Sequence, residues 1–150
     1  MKKAWALLAM LVVSILPAAA QSNAILDQVL ENPRLSYGQA AYLVLTAAGK
    51  LAENASTADA ARALADQGWK VPARPAEEPV SLGEFSFLVM QAFELKGGLF
   101  YRLFPGPRDA VREMAFRRLF TGNAYPGRAV SGEEAVRLLG GALELKGGRS

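Results

Sequence analysis

The stretch between residues 97 and 118, GGLFYRLFPGPRDAVREMAFRR, is the chemically richest part of the chain. It interleaves aromatic rings with five arginines, and only Asp109 and Glu113 oppose their charge. Guanidinium groups offer paired N–H donors that match carboxylates and phosphates, and they stack on aromatic faces. The pattern therefore indicates a surface for an acidic glycan, a teichoic-type polymer or the acidic surface of a partner protein. The candidate ligand-binding residues are Tyr101, Arg102, Phe104, Arg108, Arg112, Arg117 and Arg118.

The same stretch also has a purely structural interpretation. In that interpretation Phe100 and Phe104 fill the core, Arg112 is a solvated helix residue, and Asp109 caps a helix. The turn at residues 105–107, Pro-Gly-Pro, is stiff under either interpretation, so the loop is presented in a defined shape.

Composition excludes several kinds of chemistry. The chain has neither cysteine nor histidine, which rules out disulfides, histidine-based triads and metal sites built on these ligands. Serine and lysine remain, but Ser81 and Ser131 have the spacing of helix caps, and the lysines of the mature chain fall at predicted helix ends or in loops. We therefore expect a protein that is not an enzyme and that has no catalytic residues, metal or cofactor.

The first twenty residues are typical of a secretory signal peptide. Lys2 and Lys3 precede an apolar run at residues 4–16, and the small residues at 17–20 precede a cleavage site before Gln21. An apolar run of about 13 residues is shorter than the about 20 that cross a bilayer. We expect an exported protein, periplasmic or associated with the cell surface, with no transmembrane segment in the mature chain.

The remaining part of about 130 residues suits one domain and is long enough to bury a sizeable core. Loss of Lys2 and Lys3 lowers the formal charge from +3 to +1. A charge this small gives no support for nucleic-acid binding, because that function depends on a surplus of cations facing the phosphates.

Internal repetition organises the mature chain. Residues 81–98 and 131–148 align without a gap and agree at half of their positions, and a fainter copy begins at Ser36. Each copy opens with a serine followed three residues later by Gln or Glu, the spacing of a capping box. Apolar residues then recur at i, i+3, i+4 and i+7, as in Ala40, Leu43, Val44 and Ala47. The capping pairs are Ser36 with Gln39, Ser81 with Glu84, and Ser131 with Glu134.

A second helical segment precedes each capped helix. These segments begin at Ser22 or Asn23, at Ser56 or Thr57, and at Asp109, which gives units of about 22–51, 56–98 and 109–148. No convincing strand pattern is present. A single apolar stripe cannot be buried alone, so we predict an all-α fold in which three helix-loop-helix repeats pack on one another as a single domain, residues 21–150.

In the third copy a glycine, an aromatic residue and a proline precede the capping serine and its glutamate, at Gly122, Tyr125, Pro126, Val130, Ser131 and Glu134. This pattern resembles the S-layer homology repeat of bacterial cell envelopes. The resemblance implies a pseudo-threefold helical bundle that binds cell-wall polymers. At the position of the motif arginine the three copies carry Tyr37, Leu82 and Gly132, and the Trp-Ala signature of the first helix is missing.

Two functions are consistent with these patterns. The first is a non-catalytic exported envelope module that binds an anionic cell-wall or surface polymer through the arginines and aromatic residues of 97–118. The alternative is a protein–protein interaction or scaffold module of the bacterial envelope, which docks a partner through apolar surface. That surface is expected to include Leu99, Phe100, Leu103 and Leu119.

Overall fold

The computed structural model describes residues 16–148, and this part of the chain is helical. Residues 1–15, most of the predicted signal peptide, lie outside the described residues, as do residues 149 and 150. Within 16–148 there is no strand, only isolated bridges pairing Ser36 with Pro79 and Ser81 with Ala129. The predicted all-α fold class is confirmed. The helices are α1 (Leu16–Glu31), α2 (Tyr37–Ala47), α3 (Thr57–Ala65), α4 (Leu82–Ala92), α5 (Leu99–Leu103), α6 (Pro107–Phe116) and α7 (Gly132–Gly147).

Helix α1 runs through the predicted cleavage site before Gln21. The expectation that it begins at Ser22 or Asn23 is wrong, because both residues lie inside the helix. Among residues 20–31 of α1 the buried positions are Ile25 and Val29, both beyond that site. A chain cut there would keep the part of α1 that carries these two core contacts.

Three helices begin at the serines that the capping pattern marks. Around Ser36 and Ser81 the predicted capping box is confirmed: the serine oxygen accepts the N–H of the third helical residue, whose side chain accepts the serine N–H. The Ser36 N–H donates to Gln39 Oε1 at 3.1 Å, and the Ser81 N–H donates to Glu84 Oε2 at 2.8 Å. At the third copy only the serine half forms, because the Glu134 carboxylate pairs with Arg128 instead, at 2.9 Å and 2.5 Å.

The capped helices α2, α4 and α7 contact one another and form the centre of the bundle. Each also packs against an outer helix: α3 lies on α2, α6 on α4, and α1 on α7. The sequence-based units instead pair each capped helix with the helix before it. Linker length alone does not set the pairing: the linker at 48–56 returns the chain onto α2, but the shorter linker at 32–36 joins α2 to α1, which packs on α7 instead. The first helix then closes the bundle against the last.

Backbone hydrogen bonds join the starts of the capped helices in a cycle. In each case the N–H of the first helical residue donates to a carbonyl of the segment that precedes another capped helix. These amides lack an acceptor within their own helix, so the bonds satisfy groups that would otherwise be orphaned. The bonds are Tyr37 N–H to Glu78 O at 2.7 Å, Leu82 N–H to Arg128 O at 2.8 Å, and Gly132 N–H to Asn32 O at 2.9 Å.

The positions that correspond to the motif arginine are interior contacts of this bundle. Tyr37 and Leu82 have no exposed surface. At Gly132 a Cβ atom would lie 1.6 Å from the carbonyl oxygen of Val29, so only glycine allows α1 and α7 to approach this closely. These three positions hold helices together and are not open to a polymer.

Candidate functional site

The arginine-rich stretch folds into α5 and α6, two helices joined by a proline-bounded turn. Pro107 occupies the first position of α6, where a missing N–H costs nothing. The residue before it, Gly106, is the N-cap and provides no side-chain bond, so the expectation that Asp109 caps this helix is wrong. Asp109 is instead the third residue of α6, and its carboxylate lies near the positive end of the helix dipole. The helix is fixed to α4 by its buried side chains, Ala110, Val111 and Met114.

A single side chain of helix α5, Tyr101, is buried against the rest of the protein. Tyr101 is only 7% exposed, and its hydroxyl oxygen accepts a hydrogen bond from Gln91 Nε2 at 3.1 Å. Gly97 makes this packing possible, because a Cβ atom there would lie 2.6 Å from the ring. Burial raises the pKa of Tyr101, and the bond from Gln91 partly offsets that rise. Tyr101, predicted as a ligand-binding residue, is therefore the side chain that anchors α5.

Two polar contacts link the segment just before α5 to the C-terminal end of α6. The Gly98 N–H donates to Glu113 Oε1 at 2.7 Å. Arg117 donates to the carbonyl oxygen of Lys96, and its Nε lies 3.9 Å from the Glu113 carboxylate. The Arg117 side chain is only 13% exposed. Arg117, one of the five arginines predicted to bind a ligand, thus makes its polar contacts inside the protein.

The outward side of α5 is apolar. The structural interpretation that Phe100 and Phe104 fill the core is wrong, because a helix of five residues has fewer than two turns and turns only one large side chain inward. We call the exposed set the apolar patch. Its members are Leu99 (66% exposed), Phe100 (67%), Leu103 (60%), Phe104 (73%) and, at the end of α6, Phe116 (87%).

The surface that the sequence suggested for partner docking is close to this patch but not identical. Leu99, Phe100 and Leu103 are exposed as expected, whereas Leu119 is partly buried against the core. Phe116 was missed. Helical spacing carries the signal, since Phe116 falls outside the stripe formed by Ala110, Val111 and Met114 and therefore points away from α4.

A groove of about 230 Å³ separates α5 from α6 within the patch. Leu99 and Phe100 form one wall, and Phe116 contributes to the other. Asp109, Arg112 and Glu113 supply its polar side. The groove is smaller than the roughly 300–1,000 Å³ of pockets that hold drug-sized ligands, so its size suits one inserted side chain better than a cofactor.

The exposed arginines divide into two groups. Arg102, Arg108 and Arg112 lie on the helices that carry the patch, and the Arg112 side chain is 70% exposed although its guanidinium lies 3.8 Å from Asp109. Arg118 lies past the C-terminus of α6, next to Ser131 and Arg137 of the third repeat. Because eight residue steps of α6 lead from Arg108 to Phe116, the end of the helix nearest Arg118 lies about 12 Å from Arg108 along the axis. The predicted arginines therefore do not form one cluster.

Residues 16–148 offer neither a metal-binding cluster nor a membrane-spanning helix. No group of three or more acidic side chains there is placed to hold a metal ion. No helix in the same range is both long enough and apolar enough to cross a membrane. The patch and its neighbouring arginines remain the surface from which a function can be argued.

No protein family profile matches this chain, and no curated protein or solved structure is significantly similar to it. The resemblance to S-layer homology repeats therefore rests on the residues of the third copy alone and stays a prediction. Any function has to be inferred from the chemistry of the surface itself.

Proposed function

We propose that this protein is a non-catalytic interaction module of the bacterial envelope, which docks a partner protein through the apolar patch. One observation carries the proposal: five large apolar side chains, each at least 60% exposed, lie on α5, at its C-cap and at the end of the adjacent helix α6. Contiguous apolar surface of this kind is uncommon on soluble monomers and typically marks an interaction site. Covering it would release apolar area from water at about 25 cal/mol per Å².

The envelope location and the repeat arrangement are part of the same proposal. The signal-peptide pattern of residues 1–20 supports export to the periplasm or cell surface. The cycle of backbone bonds at Tyr37, Leu82 and Gly132 supports a pseudo-threefold arrangement of the capped helices. Such a bundle would be a rigid support that presents α5 in a fixed orientation.

The docking proposal is tested by co-purification with detergent-solubilised envelope proteins. The test variant is Phe100→Ser with Phe104→Ser, which removes the centre of the patch without touching buried residues. The matched control is Leu143→Ser, an exposed leucine on α7 that lies outside the patch. We expect one protein that binds the parent and the control in a fixed ratio, rebinds after purification, and is lost with the double variant. Equal recovery on all three proteins would contradict the proposal.

Binding of an anionic wall or surface polymer is the second candidate function. It is favoured by Arg102, Arg108 and Arg118, which are exposed and form no ion pair with any residue in the described range 16–148. Guanidinium groups without a carboxylate partner can engage phosphates or uronic acids at little desolvation cost.

Sedimentation with purified cell-wall sacculi tests the second candidate. Retention is expected to fall as salt rises and to fall further in Arg102→Ala with Arg108→Ala. The control, Arg62→Ala with Arg137→Ala, removes the same charge from two arginines that already pair with Asp59 and Glu133. Retention that does not change with salt concentration and is equal in both double variants would count against polymer binding.

A further inference from the structure

The apolar patch is bordered by positive charge. Arg102 projects from α5 itself, and Arg108 and Arg112 stand one turn apart on α6. The nearby carboxylates are engaged within the protein, because Glu113 accepts the Gly98 N–H and Asp109 is 25% exposed beside Arg112. A partner that covers the patch thus meets apolar surface with guanidinium groups along part of its edge.

This charge disfavours a second copy of the same chain as the partner. A twofold contact centred on the patch would bring Arg102, Arg108 and Arg112 of both copies into one interface, and like charges gathered in an interface are costly. A partner with carboxylates at its rim gains attraction from the same groups. Charge complementarity therefore selects an acidic surface.

The shape of the patch favours a polypeptide as the occupant. The groove between α5 and α6 is concave, with Phe100 and Phe116 exposed on its opposite sides and the Arg112 guanidinium at its edge. A concave groove with directional polar groups fits one protruding side chain. Each phenylalanine can bury about 150–250 Å², which makes the patch an apolar centre for a standard interface of about 800 Å² on each partner.

Building on the docking function proposed above, we propose that the patch binds an acidic polypeptide segment. The segment inserts one large apolar side chain between Phe100 and Phe116 and places carboxylates against Arg108 and Arg112. Aromatic contacts at the centre supply affinity, and the arginine pair at the rim supplies selectivity and salt dependence.

The test uses a random dodecamer peptide library displayed on phage and panned against the immobilised full chain. Enriched peptides are expected to place a Phe, Trp or Leu within four residues of at least two carboxylates. Labelled copies of these peptides are then titrated against the chain and its variants. We expect Kd to rise about tenfold or more in Phe100→Ser with Phe116→Ser, and about fivefold in Arg108→Ala with Arg112→Ala. Leu143→Ser should leave Kd unchanged, and far-UV circular dichroism checks that every variant is folded.

Several outcomes would overturn the inference. They are panning that enriches no peptide, enriched peptides without carboxylates, and peptide affinities that are equal in the parent and the phenylalanine variant. Sedimentation with vesicles of phosphatidylglycerol and phosphatidylcholine that is lost in the phenylalanine variant, with no peptide enrichment, would assign the patch to a bilayer surface instead. Loss of a co-purifying partner in Phe100→Ser with Phe104→Ser, together with peptides that lack acidic residues, would leave the docking function in place and reject only the acidic partner.

Discussion

Helix α4 and the α5–α6 region are both rich in phenylalanine, but they place these rings in opposite environments. Phe85 and Phe87 of α4 are buried at 0% and 6% exposure, whereas Phe100 and Phe116 are exposed at 67% and 87%. Helix α4 has eleven residues, a capping box and neighbours on several sides. Helix α5 has five residues and no side-chain cap, and its principal neighbour is α6.

The comparison teaches that the fold does not require the rings of the patch. Burial of Phe85 is imposed by the convergence of three helices, and its removal would leave a void. Phe100 and Phe116 contribute little to the core because most of their surface contacts water. Apolar side chains that fold stability does not explain are good candidates for function.

The largest expected contrast is between Phe85→Ala and Phe100→Ala. The first deletes a ring with no exposed surface, so the free energy of unfolding should fall by about 3–5 kcal/mol. The second deletes a ring that is mostly hydrated, so the change should stay within about 0.5 kcal/mol. Urea unfolding followed by far-UV circular dichroism measures both. A loss of more than about 2 kcal/mol in Phe100→Ala would mean that the patch belongs to the core after all.

Much of the bundle centre could be predicted from the sequence because its signals are local. A serine three residues before Gln or Glu specifies a helix start, and the stripe that follows specifies the buried face. Ser36 and Ser81 behaved as this rule requires. The capping box at Ser131 forms only in part, because the Glu134 carboxylate pairs with Arg128, six residues away in the chain. That competition depends on how the loop folds, which the spacing does not reveal.

Helix pairing and the patch were harder to predict for the same physical reason. Whether α2 packs on the helix before or after it depends on linker paths and on the closure of α1 against α7. In the LFYRLF segment every residue except Arg102 is apolar or aromatic, so no period marks which ring turns inward. The structure selects Tyr101, whose hydroxyl finds Gln91, and leaves Phe100 and Phe104 outside.

A second contrast tests how tightly the first helix, α1, packs on the last, α7. In Gly132→Ala the new methyl group would meet the Val29 carbonyl at 1.6 Å, so α1 must move away from α7. We expect the free energy of unfolding to fall by about 3 kcal/mol. Gly140, on the exposed side of the same helix, has no atom near the position of an added Cβ. Gly140→Ala should therefore stabilise the protein by about 0.5–1 kcal/mol, because alanine loses less backbone entropy in a helix.

Thermal unfolding of the two glycine variants separates these effects. A lower Tm for Gly132→Ala beside a higher Tm for Gly140→Ala supports the close approach of α1 and α7. Equal shifts in both variants would show that the contact between the first and last helices is loose.

The smallest contrast concerns two buried tyrosines of α2. The Tyr42 hydroxyl donates to the carbonyl oxygen of Glu53 at 2.7 Å. The Tyr37 hydroxyl is buried without a hydrogen-bond partner among the described residues, and burial raises the pKa of that phenol. Tyr42→Phe should therefore lower the free energy of unfolding by about 1 kcal/mol, whereas Tyr37→Phe should leave it unchanged or raise it by about 1 kcal/mol.

The Tyr37 ring must be kept in this experiment, since Arg74 stacks over it at 5.1 Å and also pairs with Glu84 at 2.9 Å. Phenylalanine preserves that stacking and removes only the hydroxyl.

The raised pKa of Tyr37 adds a pH test. Because its folded-state pKa lies above the ordinary value of 10.0, its contribution to stability is present below about pH 10 and is lost as the pH rises through the folded-state pKa. The free energy of unfolding of Tyr37→Phe should consequently change less with alkaline pH than that of the parent. Identical pH profiles of the two proteins would show that the Tyr37 hydroxyl is solvated in the folded protein.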